Sequence, residues 1–241
     1  MDLLLAKGIE AKNTFLAPNW VDISAISPKT KSVGANPYRV QLGLTTDCVV
    51  ALYSGNMGAK QGLEILAEVA RLHGSNHSPS DHPPLAFVFC GDGAGKEGLQ
   101  LACAGLTNVF FLPLQPLEQL NDLLAMADIH LLPQRADAAD LVMPSKLTGM
   151  LASGKPVVAT AHTGTELARV VAGSGPDTQC GMVVQPESAT AMLAAIEVLL
   201  KDAPLRQRLG VTARAYAEQH LHIDMVLTKL ADHMQLIQTT K

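Results

Sequence analysis

Charge is scarce in this sequence. Of 241 residues 17% are charged, and 18 Lys+Arg against 22 Asp+Glu leave a formal net charge of -4. A protein that coats a phosphate backbone needs a basic surplus, so nucleic acid is excluded as the main partner; a local basic pocket for one small phosphate ligand is not. Cysteine is sparse too. Cys48, Cys90, Cys103 and Cys180 form neither a CxxC nor a tight cluster, which fits small apolar core residues in a reducing, cytoplasmic setting better than a disulfide scaffold. No apolar run reaches the roughly 18 residues of a transmembrane span. The opening MDLLLAKGIE is too short and too soon charged for a secretory signal. The histidines are scattered, with no H-E-x-x-H and no paired carboxylates, so no metal site is expected. The absence of a G-x-S-x-G elbow argues against an α/β-hydrolase.

What is present is an alternation of two periods. Short apolar runs at 48–53, 85–90, 107–112, 128–132, 156–160 and 180–184 read as strands. Helical spacing occupies 60–72, about 94–104, 116–126, 145–153, a stretch from about 164, and the tail from 188 with breaks near Pro204 and near Leu221 or His222. Strands alternating with helices predict an α/β fold, a Rossmann-like parallel sheet with helices on both faces. In such sheets a ligand lies beyond the C-terminal ends of the strands. Residues 1–47 are less regular: MDLLLAKG suggests a short helix, NTFLA a strand, PNWVD a turn and 26–38 a connecting segment. Trp20, the one tryptophan, is expected to anchor this preamble to the sheet.

Four loops on the predicted rim carry candidate chemistry. In YSGNMGAKQG (53–62) Gly55 and Gly58 permit a tight turn against an anion and Lys60 adds a charge; the stretch also reads as a plain βα turn. In GDG (91–93) the glycines allow close approach of a nucleotide, or Asp92 simply caps the next helix. In MPSKLTGMLASGKP (143–156) Ser145 is placed as a helix N-cap, and Lys146 lies in the first turn, where a cation opposes the helix dipole unless an anion is bound there. In HTGTEL (162–167) Thr163 or Thr165 caps a helix, and Glu166 either complements the dipole or accepts from sugar hydroxyls. Gln134 and Arg135 open the loop after the fourth strand. A nicotinamide-dependent enzyme needs a glycine fingerprint and a distant acid that the 55–62 loop does not match.

In this order the motifs resemble the C-terminal, donor-binding half of a retaining glycosyltransferase of the GT-B fold, family four. They are most similar to the colanic-acid-biosynthesis type of exopolysaccharide glycosyltransferase. PNWVD (18–22) resembles the crossing between the two domains, YSGNMGAKQGLE (53–64) the first glycine loop, and GDG with FLPLQP (111–116) the nucleobase loops. PSKLTGMLASGKPVVAT (144–160) resembles the donor-site helix and following strand, and HTGTEL the closing loop. The resemblance implies 1–47 as interdomain connection and remnant of a preceding domain, 48–203 as donor domain and 204–241 as helical tail.

It further implies a UDP- or GDP-sugar as donor substrate, with no cofactor and no metal. Gly55, Asn56, Gly58 and Lys60 would touch phosphates or sugar, Gly91, Gly93 and Leu114 would frame the base, and Ser145, Lys146 and Leu147 would bind diphosphate and ribose. Gln134 would face the ligand, and Lys60, Lys146 and Glu166 would carry the catalytic charges. Two departures stand out. Asn56 and Gln61 occupy the places where many members have Arg and Lys, and Leu141 and Gly149 replace a usual pair of glutamates. The length matches one of the two domains of such enzymes. A truncated or split form is therefore implied: either the donor half of an enzyme that needs a separate N-terminal acceptor domain and a saccharide or polyprenyl-linked acceptor at the inner face of the cytoplasmic membrane, or a nucleotide-sugar-binding domain whose catalysis is lost.

Overall fold

Six short runs form the strands β1 (Val49–Ser54), β2 (Leu85–Cys90), β3 (Val109–Leu112), β4 (Ile129–Leu132), β5 (Val157–Thr160) and β6 (Gly181–Val184). They are seen in a computed structural model that describes residues 7–10, 14–28, 36–58, 61–76, 83–137 and 143–239. All pair in parallel, in the order β3-β2-β1-β4-β5-β6. β1 and β2 are buried along their whole length, which is why they read as continuous apolar runs and not as an alternation. The expected Rossmann-like sheet is therefore present. Its order turns back between β1 and β4, the switch point at which such sheets open a crevice.

The helices are α1 (Pro37–Gln41), α2 (Glu64–Asn76), α3 (Lys96–Ala102), α4 (Leu120–Ala125), α5 (Lys146–Ala152), α6 (Glu166–Ala172), α7 (Ala189–Lys201), α8 (Ala203–His220) and α9 (Ile223–Thr239). On one face α2, α3 and α7 pack Leu66, Val69, Leu99, Ile196 and Leu199 against Phe87 and Phe89. On the other, α5, α6 and α8 close over Leu132, Val157 and Ala159, while α1 and α4 cover Val50 and Leu52. Each such fully buried side chain contributes about 1.5–3 kcal/mol of transfer free energy. Caps set the helix starts: Thr165 Oγ1 accepts from Ala168 N (3.2 Å), Ser188 Oγ from Ala191 N (3.3 Å) and Asp202 Oδ1 from Leu205 N (2.8 Å).

Several expectations need correction. The connecting segment 26–38 ends in α1, started by Asn36, whose Oδ1 accepts from Tyr38 N and Arg39 N, with Pro37 in the first turn. Five residues are too few to show a helical period. Residues 14–17 form no strand; Phe15 instead stacks on His233 of α9, ring centres 4.5 Å apart. Asp92 caps no helix, because α3 starts four residues later and the carboxylate accepts from Gly93 N (2.9 Å). α8 (from Ala203) packs on both core faces: Leu209 belongs to the first, and Ala213 and Ala217 to the second. Most of MDLLLAKG lies outside the described residues.

Candidate functional site

β1 ends in Tyr53 and Ser54, and the chain then turns through Gly55 at φ +137°. This loop lies directly on the loop after β2. Gly55 N donates to Cys90 O (3.0 Å), Met57 N to Asp92 O (2.7 Å) and Gly95 N to Met57 O (2.7 Å). A Cβ on Gly91 would come within 1.9 Å of Gly55 O, and one on Gly93 within 2.7 Å of Met57 O. The two glycines thus exist for loop-on-loop packing. The amides of Gly55 and Met57 are thereby engaged by backbone carbonyls within the double loop.

Beside this double loop opens a cleft of about 670 Å³. It is lined by Ser54 and Gly55 after β1, Cys90 of β2, the loop after β3 with Leu114, Gln115 and Glu118, the start of α5 with Ser145, Lys146, Thr148 and Gly149, and a leading turn with Trp20, Asp22 and Ile26. Ser145 and Lys146 therefore share one pocket with Gly55, on the carboxyl rim of the sheet.

Lys146 is the centre of this site. Its ammonium donates to the Tyr53 hydroxyl (3.2 Å) and lies 4.3 Å from the centre of the Tyr53 ring. The side chain passes across Gly55, where a Cβ would sit 3.4 Å from Lys146 Cδ. Tyr53 is fully buried and its hydroxyl donates to Asn56 O (2.5 Å), so phenol and loop form one rigid support. Burial lowers the Lys146 ammonium to a pKa of about 8 and raises the Tyr53 phenol. Burial likewise pushes the Cys90 thiol up to about 11, so it is a protonated apolar wall. Asp22 and Glu118 are the acids of the lining, and Lys146 is the one Lys or Arg there among the described residues.

The other proposed residues are placed as follows. Leu114 stands exposed at the cleft rim. Ser145 occupies the N-cap position of α5, but its side chain makes no capping bond. Leu147 points into the core (2% exposed), because α5 turns by about 100° per residue. Asn56 faces Gly58 and Gly93, and Gly58 lines a separate groove between α2 and α3. Gln134 is clamped by Thr160, whose Oγ1 accepts from its N (2.6 Å) and donates to its O (2.8 Å), and it packs beside Gly62. Glu166 is paired with Arg169 and lines a different groove beside Tyr216 and Lys229, so it does not reach this cleft. Lys60 and Leu141 lie outside the described residues.

Trp20 corrects the expectation of a packing anchor: it is 47% exposed and borders the cleft. Sequence reasoning also passed over Tyr53, Asp22 and Glu118. For Tyr53 the signal was a phenol at the penultimate position of a buried strand. For the 20–26 turn no periodicity exists to find.

The sequence profile of the family described as Glycosyl transferases group 1 matches residues 36–216. The chain belongs to this family. It is 37% identical over 238 residues, 98% of its length, to a protein of Escherichia coli (strain K12) named colanic acid biosynthesis glycosyl transferase WcaI, covering 54% of that protein. The chain thus spans about half the length of that relative. Among solved structures, Anabaena Alr3699/HepE in complex with UDP and glucose superposes with a TM-score of 0.76 at 18% identity, over 97% of this chain and 60% of that one. The C-terminal domain of the group 1 protein LpcC from Francisella tularensis superposes at 0.62 and 15% identity, over 84% of this chain and 99% of that domain. The fold of this group 1 chain is thus that of one half of a GT-B enzyme. Among its described residues no three or more His, Cys, Asp or Glu are grouped to hold a metal ion, and no helix is long and apolar enough to cross a membrane.

Proposed function

We propose that this group 1 chain is the donor-binding half of a glycosyltransferase, and that its cleft takes the nucleoside diphosphate of a UDP- or GDP-sugar. One observation carries the reading: a half-buried lysine, Lys146, is held by Tyr53 and Gly55 with its charge disfavoured by burial. A desolvated ammonium at the base of a strand-end cleft gains most from an anionic ligand. When the glycosidic bond to the diphosphate breaks, negative charge grows on the leaving oxygen. A fixed cation there stabilises that charge without reorganisation.

The family membership and the HepE complex with UDP and glucose support the donor class. The likeness to a colanic acid transferase supports a saccharide or polyprenyl-linked saccharide acceptor in exopolysaccharide synthesis. On this reading an acceptor-binding domain completes the enzyme, which works in the cytoplasm against the inner membrane face.

A second reading is a nucleotide-sugar-binding domain without turnover of its own. It is favoured by the lining, which sets one cation, Lys146, against two carboxylates, Asp22 and Glu118. Calorimetry with UDP, GDP and UDP-glucose tests the donor site: binding that is lost in Lys146→Met is expected, and a folded chain that binds none of the three overturns both readings. Release of UDP in the presence of an acceptor domain separates the two.

A further inference from the structure

The turn that gives the cleft Trp20, Asp22 and Ile26 belongs to no helix and to no strand of the sheet. Something else must hold it. Its upstream end is stitched to the α8–α9 junction, with Val21 N donating to Leu221 O (2.9 Å) and Ile223 N to Val21 O (3.2 Å). Its downstream end is held by Ser27 N on Asn121 Oδ1 (3.2 Å) and by one guanidinium, that of Arg214 on α8.

Arg214 reaches two pieces of the cleft at once. Its Nη2 donates to Ile23 O (3.0 Å), and its Nη1 donates to Ile26 O (2.7 Å) and to Ala152 O (2.8 Å). Ala152 is the last residue of α5, the helix whose first turn carries Lys146 about 9 Å away along its axis. Nε is oriented by Glu218 (2.6 Å). The base of this fork is rigid. Ala213 and Ala217 are fully buried, and Gly210 lies so close to the turn after α5 that a Cβ there would meet Gly154 O at 2.3 Å.

We propose that Arg214 is a positioning residue that sets the spacing between the Trp20–Ile26 turn and the Lys146 helix, and so the shape of the donor cleft. The claim rests on the donor reading for its ligand but not for its geometry. A planar fork can hold carbonyls of both pieces in one plane, whereas an ammonium is a single point of charge. Arg214→Lys therefore keeps the charge near the carbonyls of Ala152 and loses the bridge.

The test uses the full chain and its one tryptophan. Arg214→Lys is compared with Leu209→Ala, a core truncation on the same helix and outside the cleft. In Arg214→Lys the Trp20 emission maximum and acrylamide quenching are expected to shift, and the Kd for UDP, or for GDP if that is the tighter ligand, to rise about tenfold. In Leu209→Ala the melting temperature falls while Trp20 emission and Kd stay at wild-type values. Arg214 is only structural if Arg214→Lys leaves emission and Kd unchanged, or if Leu209→Ala moves them equally. If the wild type binds neither UDP nor GDP the donor reading falls, and the emission and quenching comparison alone then decides on Arg214.

Discussion

The ammonium of Lys146 lies 4.3 Å from the centre of the Tyr53 ring while donating a 3.2 Å hydrogen bond to its hydroxyl. The pair joins the first turn of α5 to the end of β1 across the switch point of the sheet. It also fixes the sign of a pH effect. Lys146 titrates near 8 in the fold against 10.5 as a free side chain. An anion in the cleft selects the charged form, so UDP binding weakens as pH rises through 8. A loss of up to about tenfold between pH 8 and 9 is expected by calorimetry, and a wild-type affinity that stays flat from pH 7 to 9 would show that the Lys146 charge does not carry binding.

The same lysine is a cost to the fold. Its folded pKa is lowered, so below about 8 the folded state carries a charge that burial disfavours, and stability gained from deprotonation appears only as pH rises between 8 and 10.5. Lys146→Met should raise stability at pH 7 by on the order of 1–3 kcal/mol while binding is lost. Urea titration checks the first effect on the same sample that calorimetry checks for the second.

His130 of β4 has no solvent exposure, and its Nε2 bonds Ser153 Oγ (2.9 Å) while Nδ1 has no partner. Burial lowers its pKa from 6.5 to about 3. The unfolded chain binds the proton first, so stability is full above pH 6.5 and falls toward pH 3 by about 1.4 kcal/mol per unit. His130→Leu should remove that part of the acid sensitivity. Melting curves from pH 7 to 4 that run parallel for the two proteins would exclude this role.

Arg39 of α1 pairs with Asp128 and also donates to Met126 O (3.0 Å) and Cys48 O (2.9 Å), while Asp128 accepts from Val50 N (3.0 Å). Arg39→Met leaves a largely buried carboxylate beside β1. A loss of about 3–5 kcal/mol is expected in urea unfolding, with a smaller loss in the double variant Arg39→Met/Asp128→Asn.

Gly91→Ala places a methyl 1.9 Å from Gly55 O at a backbone φ of +149°. The strain alone is worth about 1–3 kcal/mol, and relief requires Gly55 to move beneath Lys146. Stability and UDP affinity should therefore fall together. An Ala variant that keeps wild-type affinity would show that the double loop does not shape the cleft.

The order of strands and helices was legible in the sequence because parallel strands buried on both faces must be short apolar runs, and the helices between them must keep one apolar face. LAFVFC and KLTGMLA declare themselves in this way. The rim as the place of chemistry followed from the same topology, and so did Lys146, through its mismatch with the helix dipole. Which rim residues face one another was decided only by the tertiary structure. Gly91 and Gly93 serve packing, Leu147 turns inward and Glu166 pairs with Arg169. Trp20 and Arg214 meet the site across nearly the whole chain length. No local period encodes such contacts, since they arise from backbone carbonyls and exposed turns whose positions exist only once α5 and α8 have packed on the sheet.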